Sequence, residues 1–438
     1  MSNIAILLGI FATLVFAYAL VSKKAESANI TAQMIFVAAG LVLGAEGLEL
    51  MELGPVTEFI LIVAEIALVF TLFVDASRIN PAALRGRASL PGRMLSIGLP
   101  LTIAFGMATA VLLLIDLSLW EAALLAAILA PTDAALGQAV INNTAIPQRI
   151  RQALNVESGL NDGISVPFFL LFLALAAGAV FEQPLGALAV IVLQQIGIGA
   201  TVGFIVGAAG GWLTARSARR GWISSPFRWM SLVALALVAW ALAEILGGSY
   251  FVAAFVGGLT ATTVERGIGE QVVEFTETEG EILNLAVFFL FSFFGAHLLI
   301  GLDWRGALYA VLSLTLIRMI PIAISLIGTN LTGSTVLFMG WFGPRGLASV
   351  VLLLIAVIEE GEIPGLGLVG QVAATTVLLS VFAHGISANP LGKWYARHAE
   401  RLVPEASEKE EVVPIPTRRK EQQSPRHGQN QEKKARPP

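Results

Sequence analysis

Residues 155–180 read NVESGLNDGISVPFFLLFLALAAGAV, and this stretch decides how the rest of the chain is interpreted. Its second half is a run of apolar side chains, whereas its first half carries Glu157, Asn161 and Asp162. An ionised carboxylate at the centre of a bilayer costs roughly 2.5–3.5 kcal/mol on insertion scales. Such a residue persists in a membrane helix where it faces a wet cavity or a partner. The first question is therefore whether this helix lies in a membrane.

The composition of the whole chain is that of a membrane protein. Of its 438 residues, 56% are hydrophobic and only 13% are charged, and the mean hydropathy is +0.78. A soluble domain carries about 25% charged residues. Uninterrupted apolar windows long enough to cross a bilayer recur along the sequence, which indicates an all-α, polytopic membrane protein.

Composition also excludes several kinds of chemistry. The chain has no cysteine, so disulfides, thiolate nucleophiles and cysteine-based metal or iron–sulfur sites are impossible. Its four histidines do not stand at metal-ligand spacing. We predict a protein that is not an enzyme, uses no cofactor and binds no nucleic acid.

The apolar runs between polar breaks predict thirteen transmembrane spans. Lysines and arginines fall in alternate loops, beginning with Lys23 and Lys24, and the loops between them are acidic or neutral. By the positive-inside rule, this alternation puts the N-terminus outside the cell membrane and the C-terminus in the cytoplasm. The predicted spans are residues 3–22, 30–47, 56–75, 94–115, 119–139, 149–178, 185–214, 229–246, 250–265, 281–300, 305–328, 334–358 and 369–388.

The sequence divides into two predicted units. Residues 1–390 form the transmembrane domain, and residues 391–438 form a cytoplasmic tail. Beyond about residue 404 the chain has few apolar residues, mixed charge and several prolines. This composition is typical of disordered segments, so we predict that the tail is largely disordered.

Two of the predicted spans are interrupted at matching positions. Span five contains LAPTDAALG (129–137), and span twelve contains GWFGPRGLAS (340–349). If spans 1–6 and 8–13 form two inverted six-helix repeats, both breaks lie in the fifth helix of their half, where transporters build their sites. Span seven then links the halves, and its glycines at 199, 203, 207 and 211 predict close helix packing.

Four ionisable residues lie deep in the predicted membrane: Asp133, Glu157, Asp162 and Arg345. Left unpaired, they would cost on the order of 10 kcal/mol together, so they should meet. A structural ion pair of Glu157 with Arg345 accounts for two of the four residues. The presence of both aspartates then still needs an explanation. Their carboxylates can bind a hard cation such as Na⁺, together with the hydroxyls of Thr132 and Ser158 and the carbonyls freed by the break.

One of these carboxylates can instead bind a proton. A site that holds either H⁺ or a metal ion, but not both, is sufficient for exchange of the two across a membrane. Asn161 lies four residues after Glu157 and therefore shares a helix face with it. Arg318 either neutralises one of the aspartates or caps the core elsewhere.

Three stretches together make a resemblance specific: APTDAAL (130–136), ESGLNDG (157–163) and GWFGPRGLASV (340–350). They resemble the NhaP branch of the monovalent cation–proton antiporters, and the similarity covers about residues 3–390. The resemblance implies a homodimer of NhaA-like fold, in which a dimerisation domain and a moving six-helix core domain are interleaved in sequence. One departure from the family pattern is Gly159, where many relatives have a bulkier residue.

The resemblance also implies a role for each residue of the site. The implied cation ligands are Asp162, Asp133, Ser158 and the main chain of Thr132. Asp162 is implied to be the essential carrier of both ion and proton. Glu157 is implied to pair with Arg345, and Asn161 to hold the crossing of the broken helices. Members with asparagine at the position of Asn161 are generally electroneutral, which implies one Na⁺ for one H⁺.

Three functions compete. The first is antiport of Na⁺, Li⁺ or K⁺ against H⁺, in the service of pH homeostasis. The second is a cation channel or a solute symporter on similar broken helices, although a symporter for organic anions needs a positive pocket and the groups here are mainly acids. The third is an intramembrane protease with Asp133 and Asp162 as its pair, but the glycine–aspartate motif of such proteases is absent. The sequence favours antiport and does not separate Na⁺ from K⁺.

Overall fold

The computed structural model describes residues 2–44, 57–78, 89–180, 184–264, 268–299, 301–359 and 363–410. Within these ranges every regular element is a helix. Seven of the described helices are long and apolar enough to cross a membrane, and six further apolar helices are shorter. The chain is therefore an all-helical, multi-pass membrane protein.

The helices follow one another along the chain with short connections. A π-helical turn at Met94–Gly98 joins α4 to α5, and 3₁₀ turns cover Ala296–Leu299 and Ser407–Lys409. The α-helices are α1 (Ser2–Ser27), α2 (Ala32–Leu43), α3 (Thr57–Ser77), α4 (Ser89–Arg93), α5 (Leu99–Leu113), α6 (Leu119–Ile128), α7 (Gln138–Ile141), α8 (Gln148–Val180), α9 (Leu185–Arg219), α10 (Ser225–Ile245), α11 (Tyr250–Val264), α12 (Ile268–Gly295), α13 (Trp304–Leu314), α14 (Leu316–Ser325), α15 (Gly333–Trp341), α16 (Leu347–Glu359) and α17 (Leu366–Glu400).

The glycines of α9 pack this helix directly against α11, as their spacing predicts. A Cβ atom at Gly199, Gly203 or Gly207 would overlap a backbone carbonyl oxygen of α11 or of the residue just before it. Gly211 makes the same kind of close approach to Ala261. Small residues let the two backbones come together over about three turns. Membrane helices gain van der Waals contact in this way, in the absence of a hydrophobic driving force.

The last transmembrane helix is longer than the sequence predicts. Predicted span thirteen covers residues 369–388, whereas α17 continues without interruption to Glu400. The predicted domain boundary between residues 390 and 391 therefore falls inside this helix. The described chain continues to Glu410, and the rest of the predicted tail, residues 411–438, lies outside the described residues.

The segment after α17 folds back onto the N-terminus of α15. The carboxylate of Glu408 accepts hydrogen bonds from the backbone N–H of Thr332 and the hydroxyl of Thr335, both at 2.8 Å. Arg149, at the start of α8, donates to the hydroxyl of Ser407 at 2.7 Å. A carboxylate at a helix N-terminus satisfies free N–H groups and is favoured by the helix dipole.

Replacing Glu408 by glutamine should lower the stability of the protein at neutral pH. Burial raises the pKa of this carboxyl, but its hydrogen bonds with Thr332 and Thr335 outweigh burial, so the net pKa lies below the ordinary value. A carboxyl with a depressed folded-state pKa stabilises the fold above its unfolded-state pKa, and this contribution disappears as the pH falls through the folded-state pKa.

Charge-assisted hydrogen bonds of this kind contribute about 1–3 kcal/mol, so the unfolding temperature of Glu408→Gln in detergent should fall by a few degrees at pH 7. The difference from the unmodified protein should disappear in acid. Glu405→Gln is the control, because Glu405 is exposed in the same segment. Equal unfolding temperatures for Glu408→Gln and the unmodified protein at pH 7 would contradict this assignment.

Candidate functional site

Two interrupted helices meet at their breaks. The first break separates α6 from α7, and the second separates α15 from α16. At the crossing, the backbone N–H of Asp133 donates to the carbonyl of Pro344 at 2.7 Å. The two interruptions that the sequence places in spans five and twelve are therefore in direct contact.

The side chain of Arg345 satisfies carbonyls at the ends of two helices. Its guanidinium donates to the carbonyls of Ala130 at 2.7 Å and Pro131 at 3.3 Å, just beyond α6. It also donates to the carbonyl of Ser313 at 3.2 Å, at the end of α13. Helix C-termini carry partial negative charge and unsatisfied carbonyls, so a buried cation is favourable there. Arg345 is 0% exposed, which makes these hydrogen bonds necessary.

The side chain of Asp133 accepts hydrogen bonds from backbone N–H groups, one of them at the start of α16. One carboxylate oxygen accepts the backbone N–H of Leu347 at 3.1 Å, and the other accepts that of Ala135 at 2.7 Å. An acid at a helix N-terminus is stabilised by the free N–H groups and by the dipole. Each broken segment thus supplies the charge that the opposite helix end requires.

Two glycines make this crossing sterically possible. A Cβ atom at Gly346 would overlap the carboxylate of Asp133, and a Cβ atom at Gly343 would overlap the guanidinium of Arg318. Any larger residue at either position would push a charged side chain away from its partners. The glycines of span twelve therefore provide space for charged groups as well as interrupting the helix.

Glu157 pairs with Arg318 and not with Arg345, so the predicted pairing is wrong. The guanidinium of Arg318 donates to both carboxylate oxygens of Glu157, at 2.7 and 3.0 Å. Both residues are essentially fully buried. The exchange of partners has a physical reason: Arg345 is already committed to the helix C-termini, and α14 directs Arg318 through the space beside Gly343. Neither role considered for Arg318 is the observed one, because its guanidinium neutralises Glu157 and not one of the aspartates.

A hydrogen-bonded cluster of polar side chains joins this ion pair to the first break. The amide of Asn161 donates to the Thr132 hydroxyl at 2.6 Å and to the Glu157 carboxylate at 3.2 Å. The hydroxyls of Thr132 and Ser158 lie 3.1 Å apart. All of these residues are buried, so the Asn161 side chain fixes α8 to the broken helix in one geometry.

A cleft leads from the protein surface to the two aspartates. Its empty volume is about 710 Å³, and Asp133 and Asp162 both line it. Asp162 follows Ser158 by one turn of α8 and is 7% exposed, whereas Asp133 is partly exposed. The remaining lining residues are Phe70, Thr71, Val74, Asp75, Arg78, Ala134, Ala135, Gln138, Gly280, Glu281, Asn284 and Leu347.

Hydrogen bonds connect the wall of the cleft, through the start of α2, with the C-terminal part of α17. Glu281, in this wall, accepts a hydrogen bond from Gln33 near the start of α2, at 3.0 Å. Asn29, just before the same helix, is bonded to Asn389 in the final part of α17 at 2.7 Å. These contacts connect the cleft wall to the end of α17 and so to the segment that follows it.

Asp75 is a wall residue that sequence reasoning missed. Its position at the end of predicted span three suggests a side chain that reaches to the membrane interface, but it is only 8% exposed and lines the cleft together with Asp162. Arg78, one turn later, lies 3.5 Å from its carboxylate. Gly159 of α8 lies beside Asp75, and a Cβ at this position would make ordinary van der Waals contact with the Cβ of Asp75, at 3.5 Å. The departure from the family pattern at Gly159 therefore adjoins the buried Asp75, but this contact does not require a glycine.

A helical membrane bundle in which two broken helices cross beside buried carboxylates, with a cleft leading to them, has the architecture of a secondary transporter. The chain belongs to the sodium/hydrogen exchanger family, because the family model described as "Sodium/hydrogen exchanger, transmembrane" matches residues 10–394. The family is one of membrane transporters and not of enzymes, as the sequence predicts.

Individual relatives agree with this family. The chain is 25% identical over 398 residues to the K⁺/H⁺ antiporter NhaP of Alkalimonas amylolytica, covering 87% of this chain and 65% of that protein. It is 22% identical to the K⁺/H⁺ antiporter NhaP2 of Shewanella baltica, covering 84% and 63%. A probable Na⁺/H⁺ antiporter of Schizosaccharomyces pombe is 25% identical, covering 62% and 40%. The chain thus spans less than two thirds of the length of these curated relatives.

The fold is also that of a solved antiporter structure. The sodium proton antiporter MjNhaP1 from Methanocaldococcus jannaschii superposes with a TM-score of 0.74, over 90% of this chain and 99% of that one, at 19% sequence identity. This similarity confirms the predicted resemblance to NhaP proteins at the level of the fold.

Proposed function

We propose that this protein exchanges a monovalent cation for a proton across the membrane, by letting the two compete for Asp162. The observation that carries the proposal is the cleft that reaches Asp162 and Asp133 beside the crossing of the broken helices. A carboxylate in this position can hold either a cation or a proton, and a rearrangement of the helices around it can then expose it to the other side of the membrane. Family membership and the names of the relatives support the same activity.

The groups around Asp162 divide into ligands and supports. The proposed ligands of the cation are Asp162, Asp133, Ser158 and Thr132, all of which offer the oxygen atoms that hard cations prefer. The proposed supports are the Glu157–Arg318 pair, Asn161 and Arg345, whose hydrogen bonds fix the geometry of the crossing.

The charges at the crossing support a one-for-one, electroneutral exchange. Three acids (Asp133, Glu157 and Asp162) and two arginines (Arg318 and Arg345) leave a single excess negative charge. Glu157 is neutralised by Arg318, and Asp133 is stabilised by the N-terminus of α16. One cation or one proton at Asp162 then brings the buried cluster to neutrality, which is the state that a low-dielectric interior favours.

The proposed function also implies a membrane topology and an oligomeric state. We infer thirteen spans in two inverted six-helix repeats, with the N-terminus outside, the C-terminus in the cytoplasm, and two copies forming a dimer in the cell membrane. The direct contact between the two broken helices supports the repeat arrangement. Such an exchanger would serve pH homeostasis.

Na⁺ is the proposed substrate, with Li⁺ as a second one, and K⁺ is the alternative. The solved structural neighbour is a sodium proton antiporter, whereas two of the similar curated proteins are K⁺/H⁺ antiporters. Oxygen ligands of the kinds present here suit all three ions, and the choice depends on how closely the ligands approach one another.

Proton release from acidified inverted vesicles tests the proposal. Addition of Na⁺ or Li⁺ should release protons, and the Na⁺ concentration for half-maximal release should rise as the pH falls, because more of the Asp162 carboxylate is protonated. The control is vesicles without the protein, titrated in parallel. Proton release on addition of K⁺, but not of Na⁺ or Li⁺, would indicate K⁺/H⁺ exchange instead. Cation current without proton release would indicate a channel.

A further inference from the structure

The final α-helix, α17, carries two buried polar side chains to which the proposed site at Asp162 assigns no role. Ser380 and His384 are four residues apart on this helix and therefore share a face. Their exposures are 0% and 1%. Buried polar side chains require hydrogen-bond partners, and both of these side chains find partners in the second break, between α15 and α16.

The side chain of His384 binds the end of α15. Its Nε2 lies 2.9 Å from the carbonyl oxygen of Trp341, and because a carbonyl only accepts, Nε2 carries the hydrogen of this bond. The other ring nitrogen, Nδ1, lies 3.1 Å from the hydroxyl oxygen and 3.0 Å from the carbonyl oxygen of Ser380. The indole of Trp341 stacks on the imidazole, with ring centroids 4.8 Å apart. The imidazole is therefore fixed through both ring nitrogens and through one face.

The side chain of Ser380 binds the far end of the same break. Its hydroxyl oxygen accepts the backbone N–H of Arg345 at 2.7 Å. Trp341 and Arg345 stand on either side of residues 342–344, which interrupt the helix. The backbone of the break is thus bonded to α17 at two points, four residues apart.

This backbone also holds Asp133, one of the proposed cation ligands. The N–H of Asp133 donates to the carbonyl of Pro344 at 2.7 Å, and its carboxylate accepts the N–H of Leu347 at 3.1 Å. The segment from Trp341 to Leu347 therefore connects α17 with Asp133. A shift of this segment would move the Asp133 carboxylate within the cleft that it lines.

We propose that Ser380 and His384 are positioning residues for cation binding, which hold the second break so that Asp133 keeps its place in the cleft beside Asp162. The inference rests on the proposed cation exchange and adds two residues that are not among those lining the cleft. Groups that orient a metal ligand from behind affect metal affinity or activity by about 10- to 100-fold when they are removed.

Transport kinetics of His384 variants form the first test. His384→Leu removes the hydrogen bond to Trp341 and should raise the Na⁺ concentration for half-maximal proton release by ~10-fold, the low end of such effects. The maximal rate should change less, because Asp162 lies on α8 and not at the break. His384→Gln should restore the half-maximal concentration of the unmodified protein, since its side-chain amide can donate to the same carbonyl.

Ser380→Ala tests the same proposal with a smaller truncation, and it decides the matter if His384→Leu does not fold. This variant removes the acceptor of the Arg345 N–H, so the half-maximal Na⁺ concentration should again rise. Ser387→Ala is the matched control. Ser387 lies on the same face of α17 and accepts the indole N–H of Trp341 at 3.0 Å, so it binds the side chain and not the backbone of the break. Its removal should leave the half-maximal concentration unchanged.

The possible outcomes separate the positioning role from the proposed function. Half-maximal Na⁺ concentrations in His384→Leu and Ser380→Ala that equal the unmodified value would overturn the positioning role. A rise in His384→Gln or Ser387→Ala as large as that in His384→Leu would overturn it as well. Absence of cation-dependent proton release from vesicles with the unmodified protein would instead overturn the proposed function.

Discussion

Replacement of Asp162 by asparagine should reduce cation-dependent proton release to the level of vesicles that lack the protein. Asparagine has nearly the same shape as aspartate, so the packing of α8 is retained. It carries no negative charge and takes up no proton near neutral pH, so neither transported ion is bound. The measurement is proton release from acidified inverted vesicles on addition of Na⁺, over a range of pH.

Asp116→Asn is the matched control for this variant. Asp116 is exposed in the short loop between α5 and α6, and removal of its charge should leave exchange unchanged. Both variants should elute as folded protein with the unfolding temperature of the unmodified chain. Exchange by Asp162→Asn at the unmodified rate would remove Asp162 from the mechanism.

Separation of Glu157 from Arg318 should cause the largest loss of stability in the protein. The pair is fully buried and joined by two hydrogen bonds, so Glu157→Gln leaves an uncompensated guanidinium in the core. Breaking a buried ion pair by removing one partner costs about 3–5 kcal/mol. Thermal unfolding in detergent should show Glu157→Gln and Arg318→Gln far below the unmodified protein in unfolding temperature.

A double-mutant cycle tests the observed pairing against the predicted one. Glu157→Gln with Arg318→Gln removes both charges, so the double variant should be much more stable than the sum of the single effects implies. The cycle of Glu157→Gln with Arg345→Gln should give a smaller coupling, because Arg345 donates to backbone carbonyls. A larger coupling with Arg345 than with Arg318 would contradict the pairing in this structure.

The sequence identifies the residues of the crossing because their cost in a membrane is so high. Buried charges must find partners, and two broken spans in matching positions indicate where those partners lie. The structure brings Asp133, Glu157 and Arg345 into one region around the two breaks, with Thr132, Ser158 and Asn161 joined by hydrogen bonds. The glycine spacing of α9 likewise predicts the close contact with α11. Both inferences depend on local rules that hold in any membrane helix.

The partner of each charge could not be predicted in the same way. Arg318 and Arg345 are chemically identical, and their choice of partner depends on the direction from which α14 and the second break approach Glu157. That direction is a property of tertiary packing, visible in the space beside Gly343. The burial of Asp75 could not be predicted for a related reason, because it depends on how α3 packs against α8.

The end of the membrane domain was the least predictable part of the described chain. Hydropathy falls after residue 388, and this fall ends the predicted span. The helix nevertheless continues to Glu400, and the segment beyond it docks through Glu408. A buried carboxylate in a polar, proline-containing segment gives no signal in sequence, since its burial depends on the free N–H groups of a helix that begins 75 residues earlier.

Competition between Na⁺ and H⁺ at one carboxylate is the central claim, and binding of Na⁺ to the purified protein tests it most directly. In weakly buffered detergent solution, calorimetry with simultaneous pH recording should show proton release as Na⁺ binds. The dissociation constant for Na⁺ should rise about tenfold for each pH unit below the pKa of the carboxyl. Asp162→Asn should show no release. Na⁺ binding that is independent of pH, without release of protons, would contradict the account.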